Sequence, residues 1–194
     1  MTKGQATRAR LIDAAHRLAI RQGFDRTSVN DVMDAANVKK GAFYYHFPDK
    51  DSLILAVLER DSAKFLSRLE DSLKSDTPLQ SLETFFARAL RSHAERGFVG
   101  GCLWGNTALE MSDSHPVFAA FVAKVFAEWQ HRIEAVVRAG QECGDIRRDL
   151  SSEALARAVI AAVEGGIMLS RLTKQEGPME HCLSAMRTML EPVS

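Results

Sequence analysis

Residues 28–50, SVNDVMDAANVKKGAFYYHFPDK, have the pattern of two short helices joined by a tight turn. Thr27 and Ser28 are residue types that cap helix N-termini. Asn37 tolerates the left-handed conformation that such a turn requires, and Pro48 disfavours helical geometry in the residue before it. Apolar residues recur at helical spacing in the first helix, at Val29, Val32, Met33 and Ala36. The pattern predicts a helix-turn-helix unit.

The second helix of this unit, at about residues 39–47, has an apolar and a polar side. Phe43 and Phe47 lie four residues apart, so they share one side of the helix and are predicted core residues. Lysine, tyrosine and histidine side chains remain on the other side. An α-helix fits the major groove of DNA, where lysine can donate to guanine and small or aromatic side chains can contact a thymine methyl. The pattern indicates double-stranded DNA as a partner.

The charge of the chain is distributed unevenly. The 194 residues include 25 Lys and Arg and 25 Asp and Glu, so the net charge is zero. Residues 1–50 hold nine Lys or Arg and five Asp, a net charge of +4, which leaves −4 for residues 51–194. The N-terminal part therefore attracts phosphate, and the remainder repels it. We expect a DNA-binding domain at residues 1–50 and a second, larger domain at residues 51–194.

Periodicity and composition indicate the fold class and the cellular compartment of the protein. Besides the two helices above, we expect helices at about residues 7–22, 49–73, 78–97, 106–112, 116–143, 152–175 and 178–190. The sequence therefore predicts an all-α protein. No apolar run approaches the roughly 20 residues that span a bilayer, and the N-terminus has no signal-peptide core. The three cysteines, an odd number, suit reduced thiols, so we expect a cytoplasmic protein that does not bind membranes.

The sequence has no recognisable motif for catalysis or metal binding. It contains no H-E-x-x-H pair, no C-x-x-C pair, no glycine-rich phosphate loop and no convincing set of nucleophile, base and acid. We therefore expect no enzyme activity, no metal and no cofactor. A helical interaction or enzyme domain that has merely retained a helix-turn-helix remains an alternative, and salt-insensitive DNA binding would favour it.

The run K-G-A-F-Y-Y-H-F-P-D-K-D-S-L, preceded by T-S-V-N-D-V-M-D-A-A-N-V, resembles the signature of TetR-type transcriptional repressors, and the resemblance covers residues 7–60. It implies an all-α fold with an N-terminal three-helix helix-turn-helix DNA-binding domain and a larger helical ligand-binding and dimerisation domain. It also implies a homodimer that binds a palindromic DNA operator and is released by a small-molecule inducer.

The resemblance also gives roles to individual residues. It implies contacts to the DNA backbone for Tyr44, His46 and Lys50, and base contacts are expected near the start of the second helix. The candidate DNA-binding residues are Thr27, Ser28, Lys39, Lys40, Gly41, Ala42, Tyr44, Tyr45, His46 and Lys50. The V-K-K sequence at 38–40 departs from the small polar residue that family members commonly carry there. A Tyr44 that only packs on the first helix and a Lys39 that is only solvated remain alternatives.

The segment G-G-C-L-W-G-N around Cys102 resembles a TetR subgroup with G-C-L at this place. Some members of that subgroup respond to reactive aldehydes, quinones or oxidants through the cysteine. Cys102 is therefore either an electrophile or redox sensor or an inert core residue. The candidate ligand-binding residues are Cys102, Trp104, Asn106, Phe121, Trp129, Met168 and Arg171, and Glu110 is a further pocket candidate. The aromatic residues and Met168 are alternatively core residues.

The last two expected helices carry apolar stripes that fit a four-helix dimer interface, as in TetR-type proteins. One stripe consists of Leu155, Val159, Ala162, Val163, Gly166 and Ile167. The other consists of Met179, Leu183, Met186, Met189 and Leu190. Both stripes are equally consistent with an intramolecular core. Gly165 and Gly166 would permit close approach of a second helix.

Overall fold

The regular structure of the protein is helical. The computed structural model describes residues 2–193, and this part of the chain contains nine helices and no strand. The helices are α1 (Lys3–Gln22), α2 (Val29–Ala36), α3 (Lys40–His46), α4 (Lys50–Ser72), α5 (Pro78–Ala94), α6 (Leu103–Met111), α7 (Pro116–Cys143), α8 (Ser152–Thr173) and α9 (Gly177–Leu190). The predicted all-α fold class is confirmed. Across residues 2–193, each helix is too short or too polar to cross a membrane.

Local sequence signals set the ends of the first helices. At the start of α2, the N–H of Asp31 donates to Ser28 Oγ (3.1 Å) and the N–H of Ser28 donates to Asp31 Oδ2 (2.8 Å). This reciprocal pair is a capping box. Asn37 ends α2 with a φ of 51°, the left-handed conformation expected for the turn. Gly23 ends α1 with a φ of 88°, where a glycine is favoured.

Two helix starts differ from the expectation. α1 begins at Lys3 rather than near residue 7, because Thr2 and Gln5 form a second capping box. α6 begins at Leu103 rather than near residue 106, because the positive φ angles of the glycine-rich segment end at Gly101. Cys102 therefore immediately precedes α6.

The chain forms two compact units. Among the described residues, the first contains residues 2–64 together with residues 103–123, so α6 and the start of α7 belong to the same unit as the helix-turn-helix. The second contains residues 65–102 and 124–193. The compact unit around α1–α3 is thus larger than residues 1–50. A functional division at residue 50 stays a prediction.

Within the second unit, α8 packs closely on α9. A Cβ atom at Gly166 would lie 3.1 Å from the Cα of Met179, so the glycine permits this approach. Most of the two apolar stripes is buried here within a single chain, namely Leu155, Val159, Val163, Gly166, Ile167, Met179, Leu183, Met186 and Leu190. The burial of these residues within one chain agrees with the intramolecular alternative, and a dimer interface formed by the same two helices stays a prediction.

Candidate DNA-binding site and effector-site residues

Helix α3 is anchored on one side and open on the other. Phe43 and Phe47 are 0% and 2% exposed, which confirms them as core residues. Tyr44 is 48% exposed and Tyr45 is 82% exposed. The remaining candidates at the start of the helix are also exposed, namely Lys39, Lys40, Gly41 and Ala42. The arrangement leaves the polar side of α3 available to a partner.

Ring contacts fix the C-terminal end of α3. The Arg8 guanidinium of α1 lies over the Phe47 ring, 5.1 Å from its centroid. Tyr44 packs edge-on against Phe43, with ring centroids 5.2 Å apart, and Tyr45 packs in the same way on His46 at 4.9 Å. Tyr44 therefore contacts the core-facing Phe43 of its own helix while about half of its surface stays exposed.

The α1–α2 loop, residues 23–28, holds further candidates. Thr27 is 3% exposed, and its hydroxyl donates to the Gly23 carbonyl (2.6 Å), so its phosphate contact stays a prediction. Ser28 is exposed. Its hydroxyl and its backbone N–H hold the pKa of Asp31 below the ordinary value, so that carboxylate stays charged at the start of α2. Lys50 Nζ donates to the Asp25 carbonyl (3.2 Å), which ties the start of α4 to the loop.

Glu110, expected to line a pocket, instead binds the α1–α2 loop within the first unit. Its carboxylate accepts hydrogen bonds from the N–H of Phe24 (3.0 Å) and from the N–H of Asp25 (2.8 Å). No local sequence pattern could connect groups that are 85 positions apart. The expectation for Glu110 is therefore corrected.

The candidate ligand-binding residues are divided between the two units. Three belong to the first unit: Trp104, Asn106 and Phe121. Four belong to the second unit: Cys102, Trp129, Met168 and Arg171. Trp129 is 2% exposed and packs edge-on against Phe65, with ring centroids 5.1 Å apart, whereas Met168 is 61% exposed. Met168 is therefore not a core residue, and the ligand-binding role of the whole set stays a prediction.

Arg96 and Glu164 interact with Cys102 in the second unit, and His93 contacts Arg96. Burial, together with the nearby Arg96 charge, lowers the pKa of His93 to about 4, so the imidazole is neutral at pH 7. Arg96 Nη2 lies 2.9 Å from His93 Nδ1. Burial also lowers the pKa of Arg96, while Cys102 acts in the opposite direction, which places the sulphur within electrostatic reach of the guanidinium.

Glu164 of α8 contacts the same sulphur. Burial raises the pKa of Glu164, and a hydrogen bond with Cys102 partly opposes this effect. Among the described residues, Glu164 Oε1 and Trp129 Nε1 are buried side-chain atoms without a hydrogen-bond partner. Buried polar atoms are nearly always paired, so these two can serve a bound molecule. Sequence reasoning missed Glu164, although a lone acid in the apolar run A-V-E-G-G-I-M was a usable signal.

Among residues 2–193, no cluster of three or more His, Cys, Asp or Glu side chains could hold a metal ion. The three cysteines are free thiols.

Comparisons with known proteins identify the family. A model of bacterial regulatory proteins of the tetR family matches residues 11–57, the segment with the helix-turn-helix. A model of the tetracyclin repressor-like C-terminal domain matches residues 78–186, more than half of the chain. The chain belongs to the TetR family. Its predicted order, an N-terminal helix-turn-helix followed by a helical C-terminal domain, is thereby confirmed.

Similar TetR-family proteins are transcriptional regulators. The HTH-type transcriptional repressor DhaR of Mycobacterium sp. (strain GP1) is 28% identical over 191 residues, which cover 95% of this chain and 92% of DhaR. The transcriptional regulator AcuR of Cereibacter sphaeroides is 32% identical over 160 residues, which cover 81% of this chain and 73% of AcuR. The crystal structure of a TetR transcriptional regulator from Chloroflexus aurantiacus J-10-FL is 34% identical with a TM-score of 0.87, covering 97% of this chain and 96% of that one.

Proposed function

We propose that this TetR-family protein is a transcriptional repressor that binds a palindromic operator as a homodimer and is released by a small-molecule inducer. The observation that carries the proposal is α3, where Phe43 and Phe47 are buried while Tyr44 and Tyr45 are exposed. A short helix held by its apolar side can enter the major groove with its polar side. The exposed Lys40 adds a positive charge that attracts phosphate.

The homodimer is supported by apolar side chains that stay exposed on the last two helices. Met168 and Leu172 of α8 are 61% and 81% exposed, and Met189 of α9 is 46% exposed. A Cβ atom at Gly165 would meet nothing within 4 Å, so packing inside one chain does not require this glycine. Residues 165, 168 and 172 share one side of α8. We assign this side to a second copy of the chain, because a two-fold dimer presents two reading helices to two half-sites.

The inducer site is supported by the polar atoms inside the second unit. Trp129 Nε1 can donate a hydrogen bond, and Glu164 Oε1 lies in a carboxyl group whose raised pKa favours the neutral form. A small molecule with complementary polar atoms could pair with either atom. Release then requires only that the molecule binds more tightly to a conformation that no longer fits the operator.

Operator binding can be tested with duplexes from the DNA next to the protein's own gene. Fluorescence anisotropy should show affinity that falls steeply with salt, because phosphate contacts release counterions. We expect Lys40→Ala and Tyr44→Ala to weaken binding by about tenfold each. Lys124→Ala, an exposed lysine of α7, is the matched control and should bind as the wild type does. Unchanged affinity in all three variants, without salt dependence, would instead favour a retained helix-turn-helix with another role.

Covalent sensing by Cys102 is a second candidate, favoured by one observation. The Arg96 guanidinium lies within electrostatic reach of the Cys102 sulphur, and a neighbouring positive charge favours the reactive thiolate. The thiolate would add to an electron-poor carbon of a quinone, forming one C–S bond, and the thiol proton would pass to a quinone oxygen. The adduct would enlarge the side chain beside Glu164 and favour release from DNA.

Benzoquinone treatment separates the two candidates. If Cys102 is the sensor, treated wild type should lose operator binding while treated Cys102→Ser keeps it. Cys143→Ser removes an exposed thiol and controls for general alkylation, so it should behave as the wild type does. Equal release of Cys102→Ser and wild type would mean that Cys102 is an inert core residue.

A further inference from the structure

The α1–α2 loop is held from two helices of the first unit. From α4, Lys50 Nζ donates to the carbonyl of Asp25 (3.2 Å). From α6, the Glu110 carboxylate accepts the N–H of Phe24 at Oε2 (3.0 Å) and the N–H of Asp25 at Oε1 (2.8 Å). The loop ends at Ser28, the cap of α2. Its backbone is therefore fixed immediately before the helix-turn-helix.

The site that receives Glu110 is closely fitted. Gly23 has a φ of 88°, and a Cβ atom there would lie 2.3 Å from Glu110 Oε1. Any other residue at this position would displace the carboxylate. Phe24 is 2% exposed, so the first of the two N–H groups belongs to an anchored residue. His115 Nε2, at the end of the turn after α6, lies 3.6 Å from Asp25 Oδ1 and adds a second contact to the same loop.

Helix α6 holds Glu110 in a defined position. Thr107 and Met111, on either side of Glu110 in the sequence, are each 1% exposed. The Thr107 hydroxyl donates to the Leu103 carbonyl (2.7 Å), so it is satisfied within the helix. The carboxylate is thus carried by a helix whose inner side is packed, and the position of α6 determines the position of the acceptor.

We infer that Glu110 is a positioning residue for DNA binding, which sets the backbone of the α1–α2 loop and through it the placement of Ser28 and Lys50. The inference rests on the proposed function and on the contacts to operator phosphate that the sequence predicts for Ser28 and Lys50. Glu110 lies in the part matched by the C-terminal domain model, residues 78–186, and outside the helix-turn-helix match at residues 11–57. The compact unit that contains the helix-turn-helix therefore includes a side chain from the part of the sequence that the C-terminal domain model matches.

An electrostatic role and a positioning role of Glu110 predict opposite changes in DNA affinity when Glu110 is removed. By charge alone, removing an acid from a DNA-binding unit reduces repulsion of phosphate and strengthens binding. By positioning, the same change frees two backbone N–H groups and weakens binding. Asp113, an exposed acid three residues further along, is a matched control. Its neutralisation changes the charge equally but breaks neither hydrogen bond to the loop.

The test measures affinity of the full-length protein for the duplex described above, by anisotropy, at one salt concentration. Glu110→Ala should bind about tenfold more weakly than the wild type. Glu110→Gln keeps one acceptor oxygen, so its affinity should lie between those of the wild type and Glu110→Ala. Asp113→Asn should bind as tightly as the wild type or more tightly. Amide exchange at Phe24 and Asp25 should accelerate in Glu110→Ala and stay unchanged in Asp113→Asn.

Equal affinities for Glu110→Ala and Asp113→Asn would overturn the positioning role, provided that the wild type binds the duplex. A wild type without salt-dependent binding would refute the proposed function instead, so the two failures are distinguishable. If Glu110→Ala does not fold, the isosteric Glu110→Gln decides. Wild-type affinity together with wild-type exchange at both amides would then overturn the inference.

Discussion

Each compact unit contains a partly buried carboxylate, and the pKa values of the two carboxylates shift in opposite directions. In the first unit, burial acts to raise the pKa of Asp61, but hydrogen bonds and charge from His16 and Arg60 outweigh it, and the pKa is lowered. In the second unit, burial raises the pKa of Glu164, and only the hydrogen bond with Cys102 opposes it. Asp61 is therefore charged and paired, whereas Glu164 is shifted toward its neutral form.

This difference separates a structural acid from a candidate functional one. Asp61 connects α4 to α1 through His16, so its charge supports packing. Glu164 lacks such a partner at one oxygen and lowers the stability of its unit when it is charged. Perturbed groups of this kind cluster at functional sites. The two units also differ in the large side chains that they expose. The first unit exposes Tyr45, and the second exposes Leu172.

The largest expected effect concerns His93, the buried base of the second unit. Its pKa is about 4 in the folded chain against 6.5 ordinarily. Below pH 6.5 the unfolded chain thus binds a proton that the folded chain does not, and stability falls as pH falls toward 4. Relative to His93→Gln, the wild type should lose about 3 kcal/mol across this window. Urea titrations between pH 4 and 7 measure the difference. Parallel curves for the two proteins would show that His93 does not stay neutral in the core.

Removing the paired acid should have the next largest effect. Asp61→Asn leaves His16 and Arg60 without their shared partner, and we expect a loss of roughly 2–3 kcal/mol in the free energy of unfolding at pH 7. Because the pKa of Asp61 is lowered by folding, this contribution exists above the unfolded pKa and disappears as pH falls through the folded pKa. Asp13→Asn removes the exposed partner of Arg60 and should cost less than about 1 kcal/mol. Equal losses in both variants would contradict a special role for Asp61.

A charge placed on the apolar side of α8 should separate the proposed dimer without unfolding the chain. Leu172 is 81% exposed, so Leu172→Glu should leave the monomer stable and weaken association by about 2 kcal/mol, the burial energy of one leucine. Sedimentation velocity measures the change. Leu150→Glu, also at an exposed leucine but outside α8 and α9, is the control. Dissociation by both variants, or by neither, would place the interface elsewhere.

The smallest effect is expected for Glu164→Gln, because an amide resembles the neutral acid. The free energy of unfolding at pH 5 should change by less than about 1 kcal/mol. Since the pKa of Glu164 is raised in the folded chain, the wild type should lose stability relative to the variant as pH rises through that pKa. Chemical denaturation at pH 5 and pH 9 compares the two. A variant that is far less stable than the wild type would make Glu164 a paired acid like Asp61.

Features that depend on neighbouring residues were predictable from the sequence. The cap at Ser28 and the turn at Asn37 each involve groups within a few positions, and each is confirmed. The same holds for Phe43 and Phe47, whose spacing defines the buried side of α3. The capping box of Thr2 and Gln5 is equally local but was not predicted, because no large apolar residue marks the first turn of α1.

Features that depend on distant groups were not predictable. Glu110 finds its partners 85 positions away, so no periodicity could report them. Apolar spacing showed that α8 has a buried side but not what covers it. Leu155 and Val163 are covered by their own chain, while Leu172 is not. Glu164 shows the same limit, since its pKa depends on burial that only the fold creates.

Two adjacent glycines differ in what a substitution would disturb: one affects the fold of a single chain, and the other affects its proposed assembly with a second copy. At Gly166 an added methyl group would press on the Met179 backbone, whereas at Gly165 it would meet nothing of the same molecule. Each codon can become an alanine codon by one base change. An alanine at position 166 would therefore disturb packing within each chain, whereas an alanine at position 165 would act only through the proposed second copy.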